Sequence, residues 1–243
     1  MHPKIKFKID VNKDIKTLKA FVNDAKFDGG ENLQWAVFKK YPNLKEYFKN
    51  NKIKDYKKIT EFIKEKYKKE EKIIEENIKI YQNNWEKVEN KFFNLTDDLF
   101  IDQKWPKGKY ITYPTIWGMF PRFLEDKTFQ VPFTHKKEEY VNVVIAHEML
   151  HFIFYEYLFK KYPKYKAKKY NFLVWNVSEI FNEVVQNSPK WRKVFGLKSM
   201  GYPQHKKIVE KISRKYYKNG KIDVDLLIGD IFEEVEKSNK SNS

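Results

Sequence analysis

Ile145-Ala146-His147-Glu148-Met149-Leu150-His151-Phe152-Ile153 reads H-E-x-x-H inside an uncharged, strongly apolar run. Histidines four residues apart stand one turn apart on the same face of a helix. Both imidazoles can then reach one tetrahedral Zn2+. Glu148 follows the first histidine, so its carboxylate points beside the metal and can work on a water there. Positions 145, 146, 149, 150, 152 and 153 are all uncharged, as a helix buried beneath a cleft requires. The competing reading is a core helix with two hydrogen-bonded histidines. It leaves three polar groups in an apolar helix, where each costs free energy unless paired.

Outward from this stretch, the pattern predicts a helix over 137–159. Before it, the chain from Pro106 to Phe133 holds Gly108, Pro114, Gly118, Pro121 and Pro132 among β-branched and aromatic residues. Strands are expected at 110–116 and 128–133, and Pro132 makes the second an edge strand or ends it. Earlier still, 43–105 lacks Gly and Pro, and its apolar residues recur at steps of three and four. That spacing predicts a long amphipathic helix packed on its own domain. The alternation of 4–11 predicts a strand, with helices after it at 14–26 and 32–41. After the motif come a lysine-rich loop and a helix over 171–187, closed by Ser188-Pro189. A helix opening at Tyr202-Pro203 and a last one capped by Asp223 or Asp225 complete the chain.

Composition bounds the rest. The 243 residues are 41% hydrophobic and 17% aromatic, enough to build a sizeable core. The expectation is one α+β domain over 1–237, mostly helical, with a small mixed β-sheet over the H-E-x-x-H helix. Its N-terminal helical part ends near 105, the metal-site part covers 106–237, and 238–243 form a frayed, disordered polar tail. Net charge is +16, but only Arg122, Arg192 and Arg214 are arginine. Base readers rely on arginine forks, so no specific nucleic-acid partner is expected. Cysteine is absent, so a metal must use His and carboxylates. The N-terminus shows no signal-peptide pattern and no stretch approaches a transmembrane helix. A soluble cytoplasmic protein without a membrane partner is expected.

The H-E-x-x-H helix, with strands before it and a Glu-bearing helix after it, resembles the zincin metallopeptidases. The resemblance is direct over 137–160 and weaker from about 108 to 188. Phe154 to Lys161 contains neither Gly nor His, so the three-histidine continuation of metzincins is missing. The chain is thus similar to gluzincins, the thermolysin-like branch, in which a carboxylate on a later helix is the third ligand. Helix 171–187 offers Glu179 and Glu183. With Glu179 as ligand, Glu183 takes the place of the family's acid that holds a zinc histidine, where Asp is usual. In the other register Glu183 is the ligand, Asn182-Glu183 imitates the family's Asn-Glu, and Asn187 replaces the holding acid. Glu179 is favoured because a mid-helix position is better fixed.

The resemblance implies an edge strand that pairs with extended substrate. It also implies a transition-state donor downstream, for which His205 and Tyr202 fall in the right part of the chain; His135 is a lesser candidate. The expected activity is that of a zinc-dependent peptidase, in which Glu148 activates a zinc-bound water against a peptide or protein substrate. No Gly-x-Met-x-Asn-like segment is present, which tilts toward endopeptidase action. Two alternatives stand: a catalytically inactive zincin-like module that binds protein or nucleic acid, and a toxin or processing protease with one dedicated target.

Overall fold

The structure is a computed structural model and describes residues 2–23, 33–50, 52–218, 220 and 222–241. In chain order the regular elements are β1 (Ile5–Phe7), α1 (Val11–Leu18), α2 (Gln34–Lys40), β2 (Phe48–Lys49), β3 (Lys52–Ile53) and α3 (Tyr56–Leu99). Then come β4 (Tyr110–Thr115), β5 (Arg122–Phe123), β6 (Thr128–Pro132), α4 (Tyr140–Lys161), α5 (Asn171–Gln186), α6 (Pro189–Phe195), α7 (Lys206–Tyr217) and α8 (Val224–Ser241). The class is α+β: mostly helical, with one four-stranded mixed sheet and a two-stranded hairpin.

The chain divides into two compact units that interleave in sequence. One holds 3–84 and 108–141; the other holds 1–2, 85–107 and 142–243. In the first, the sheet order is β1-β4-β6-β5, parallel except for the β5–β6 pair. β6 is therefore an inner strand, flanked by β4 and β5, and not the edge strand expected. Pro132 ends it, where a missing N–H costs the ladder nothing. α3 starts where Asp55 Oδ1 accepts the backbone N–H of Lys58 at 2.9 Å, an N-cap bond. Ile59, Ile63, Tyr67 and Ile74 recur along one face and are buried with Leu18, Val37, Trp117 and Phe133.

Asp14 lies within that core, 0% exposed. Its carboxylate accepts Gln130 Nε2 at 2.7 Å and the Ile116 N–H at 2.9 Å. Tyr67 Oη sits 2.9 Å from Asp14 Oδ2 and 2.8 Å from the Pro114 carbonyl. Tyr67 donates to both acceptors, which share its proton. Burial pushes the Asp14 carboxyl above its ordinary range, although its hydrogen bonds to Thr115, Ile116, Tyr67 and Gln130 pull the other way.

Among the described residues, the regular elements of the second unit are all helices. α4 is apolar on nearly every face, with Val143, Ile145, Ala146, Met149, Leu150, Phe152, Ile153 and Phe154 buried, as a central helix must be. α5 packs against α7 and α8. The Phe181 ring meets Phe154 at 4.9 Å and Phe100 at 5.7 Å. Other features also depart from the sequence reading. β1 is only three residues long, and α1 begins at Val11. The β2–β3 hairpin stands where the long helix over 43–105 was expected, which runs only from Tyr56 to Leu99, and α6 carries no sequence expectation. α8 stays helical through Ser241, so the tail expected from 238 is ordered that far, and 242–243 lie outside the described residues. Of the expected helix over 14–26, residues 24–26 also lie outside them.

Candidate metal centre

Each ligand candidate is placed by a buried helix. His147 and His151 share one face of α4, and their Nε2 atoms lie 3.1 Å apart. α5 brings Glu179 opposite. Its Oε2 is 3.1 Å from His147 Nε2, and its Oε1 is 3.4 Å from His151 Nε2. The His151 side chain is 0% exposed, that of Glu179 6% and that of His147 16%, so the cluster is closed to bulk solvent except at His147.

Ligand atoms around a small tetrahedral ion, at about 2.05 Å from it, stand about 3.3 Å from one another. The two Nε2 atoms, 3.1 Å apart, match that requirement, and each faces a different Glu179 oxygen, at 3.1 and 3.4 Å. Two neutral nitrogens and one carboxylate, converging in a buried space, also form a donor set suited to a divalent cation. His147, His151 and Glu179 could thus hold a metal ion. Burial disfavours a charged His147, yet the hydrogen bond and charge of Glu179, with the charge of Glu148 and the Gln186 contact, hold its pKa above the ordinary value. A potential that attracts a proton there attracts a metal cation equally.

Glu148 lies next to the cluster on α4, 5% exposed and close enough for its charge to act on His147. Glu183, one turn past Glu179, stands outside the three-residue cluster and faces the backbone of Gly201. Burial raises its carboxyl pKa; His147 lowers it and Glu179 raises it further.

The histidine-holding role expected of Glu183 is filled by Gln186, whose Oε1 is 2.9 Å from His147 Nδ1. Sequence reasoning missed this residue. Asn187, the holder in the other register, is bound instead to the backbone N–H and carbonyl of Ser199, both at 3.0 Å. Asn182 also reaches α4, donating to the His147 carbonyl at 2.9 Å. Glu179, Asn182 and Gln186 therefore form a polar stripe on α5 at steps of three and four, and all three contact His147.

His205 is buried, with Nε2 2.6 Å from Asn176 Oδ1. Asn176 Nδ2 donates to the Phe172 carbonyl at 2.7 Å, which fixes the amide, so His205 Nε2–H is the donor of that bond. Nδ1 then carries the lone pair, and burial, partly offset by Glu179, lowers the ring's pKa. Tyr202 packs on Trp175 and His205 at 5.0 and 5.6 Å and is 37% exposed. His135 belongs to the other unit, stacked on Tyr140 at 4.9 Å and accepting the Lys137 N–H through Nδ1.

Among the described residues no helix is long and apolar enough to cross a membrane. Compared with known proteins, the chain matches no family model, no curated protein and no solved structure.

Proposed function

We propose that this protein is a zinc-dependent peptidase of gluzincin-like design, with His147, His151 and Glu179 as zinc ligands and Glu148 as general base. The observation that carries the reading is the convergence of Glu179 with both histidines of the H-E-x-x-H helix, at separations of 3.1 to 3.4 Å. Bound there, zinc would supply Lewis acidity and bring the pKa of a water down to about 7.

Glu148 would act as general base, taking a proton from the attacking water and delivering it to the departing amine. Its burial keeps the carboxylate away from bulk water. Gln186 keeps the His147 ring from turning, and Asn182 ties the His147 carbonyl to α5. His205 holds its one ring proton against Asn176, so in its neutral form it supports the Trp175–Tyr202 wall and has no second proton to give an oxyanion.

The test is hydrolysis of an unstructured polypeptide by zinc-loaded protein, beside Glu148→Gln. The amide fills the same space and cannot act as a base. Expected is retained zinc and a rate lower by about two to four orders of magnitude. A Glu148→Gln variant that cleaves at the wild-type rate overturns the assignment of the base.

A further inference from the structure

Gln186 is the last residue of α5, two turns beyond Glu179 and 2% exposed. It makes two hydrogen bonds to α4. Nε2 donates to the Val143 carbonyl at 3.0 Å, and Oε1 faces His147 Nδ1 at 2.9 Å. The first bond decides the second. A carbonyl can only accept, so the amide nitrogen must lie toward Val143 and the amide oxygen toward His147. Amide oxygens only accept as well, so His147 Nδ1 must carry the proton. A neutral imidazole has one N–H, which leaves the lone pair on Nε2. Nε2 is the atom turned toward Glu179 and His151.

We propose that Gln186 is a positioning residue that holds His147 in the Nδ1–H tautomer and so presents Nε2, before any ion arrives, as a ready metal ligand. The inference rests on the metal-centre reading and adds to it the element that prepares the ligand. Gln186 holds His147 at the ring's Nδ1 and Asn182 holds its carbonyl, while Glu179 stands 3.1 Å from Nε2, where an ion would take the place of a proton shared between them. A carboxylate at 186 would also orient the ring but would add a third negative charge beside Glu179 and Glu148. The amide orients it at no net charge. Its own orientation is guaranteed by a main-chain carbonyl four residues before the histidine it serves. Without Gln186, the ring is free to adopt the other tautomer, with its lone pair on Nδ1 and a proton where the ion should bind.

The experiment uses the full chain. Long-range 1H–15N spectra of metal-free protein, at a pH that leaves the ring neutral, report which ring nitrogen of His147 is protonated. Competition against a chelator reports zinc affinity. Expected in the wild type is protonated Nδ1 and bare Nε2. Gln186→Leu should give a mixture of tautomers and a zinc affinity about 10- to 100-fold weaker. Gln186→Glu keeps an acceptor for Nδ1–H and should retain the tautomer and most of the affinity.

A wild-type spectrum with protonated Nε2 overturns the proposal. So does Gln186→Leu with unchanged tautomer and affinity. Gln186→Glu performing as badly as Leu also overturns it, because Gln186 would then act only as a brace on Val143. If Gln186→Leu does not fold, the wild-type spectrum and the Glu variant decide. If the tautomer behaves as expected and the wild type binds no zinc, the hold on His147 is upheld and the metal-centre reading alone falls.

Discussion

Gly201 is the residue at which a single methyl group should disturb the wall beside the metal centre. A Cβ added there would sit 2.5 Å from Cδ of Glu183 and closer still to one of its carboxylate oxygens. Ordinary carbon–carbon contact begins at about 3.5 Å, so one partner must retreat by about 1 Å. The loop cannot do so cheaply, because Asn187 pins Ser199 through both its backbone N–H and its carbonyl. Glu183 must therefore turn away from a half-buried position.

The clash partner is the far end of a flexible side chain, and pushing it off its rotamer costs about 0.5–1.5 kcal/mol. Gly201→Ala should lower the stability of metal-free protein by that amount in urea denaturation. In a Glu183→Ala background the clash partner is gone, and the same substitution should cost less than about 0.5 kcal/mol, as for a residue away from any special contact. The difference is a coupling energy of about 0.5–1 kcal/mol, readable from a double-mutant cycle. Equal loss in both backgrounds would refute the reasoning, because the cost would then come from the loop and not from Glu183.

Three further outcomes are expected. Glu179→Ala should abolish tight zinc binding, whereas Glu183→Ala should leave zinc affinity within a few fold; a chelator titration that reverses this order moves the ligand to Glu183. Asp14→Ala should destabilise the fold by about 3 kcal/mol or more, because it strands the buried donors of Gln130 and Ile116, each unmet group costing about 1–3 kcal/mol; urea denaturation checks it, and a loss under about 1 kcal/mol contradicts the network. The pH dependence has a definite sign: the Asp14 carboxyl is raised in the folded state, so the native state holds the proton more tightly. Its contribution is greatest below the ordinary value of 3.8 and is lost as pH rises through the raised folded value, so wild type should lose stability relative to Asp14→Asn across that window.

Much of the helical framework was legible because its signals are local. The apolar run around His147 marks α4, and the run without Gly or Pro after Asn43 marks α3, although its first dozen residues turn instead into a short helix and the β2–β3 hairpin. Pro189 signals a stop for α5. It also opens α6, since proline suits a first helical turn, and Gly196 at φ 70° closes that helix.

The site was legible where spacing on one helix decides it, as for His147 and His151. The partner of His147 Nδ1 was not. The family pattern directs attention four residues past Glu179, to Glu183, whereas the contact is made seven residues past it, by Gln186. Both positions lie near one face of α5, and only the packing of α5 on α4 chooses between them. A glutamine, an asparagine and a glutamate spaced through an apolar helix were the available sign. The place of β6 inside the sheet depends on Arg122–Phe123, a two-residue strand too short to carry any periodicity.

The central claim is that His147, His151 and Glu179 together bind one zinc ion. The direct measurement is zinc bound per chain after loading and exhaustive dialysis, for wild type and for His151→Ala, with anomalous scattering at the zinc edge to place the ion in crystals of the wild type. The account predicts one ion in the wild type, within bonding distance of His147 Nε2, His151 Nε2 and a Glu179 carboxylate oxygen, and none retained by His151→Ala. Equal zinc in the two proteins, or an ion located away from these three side chains, would contradict it.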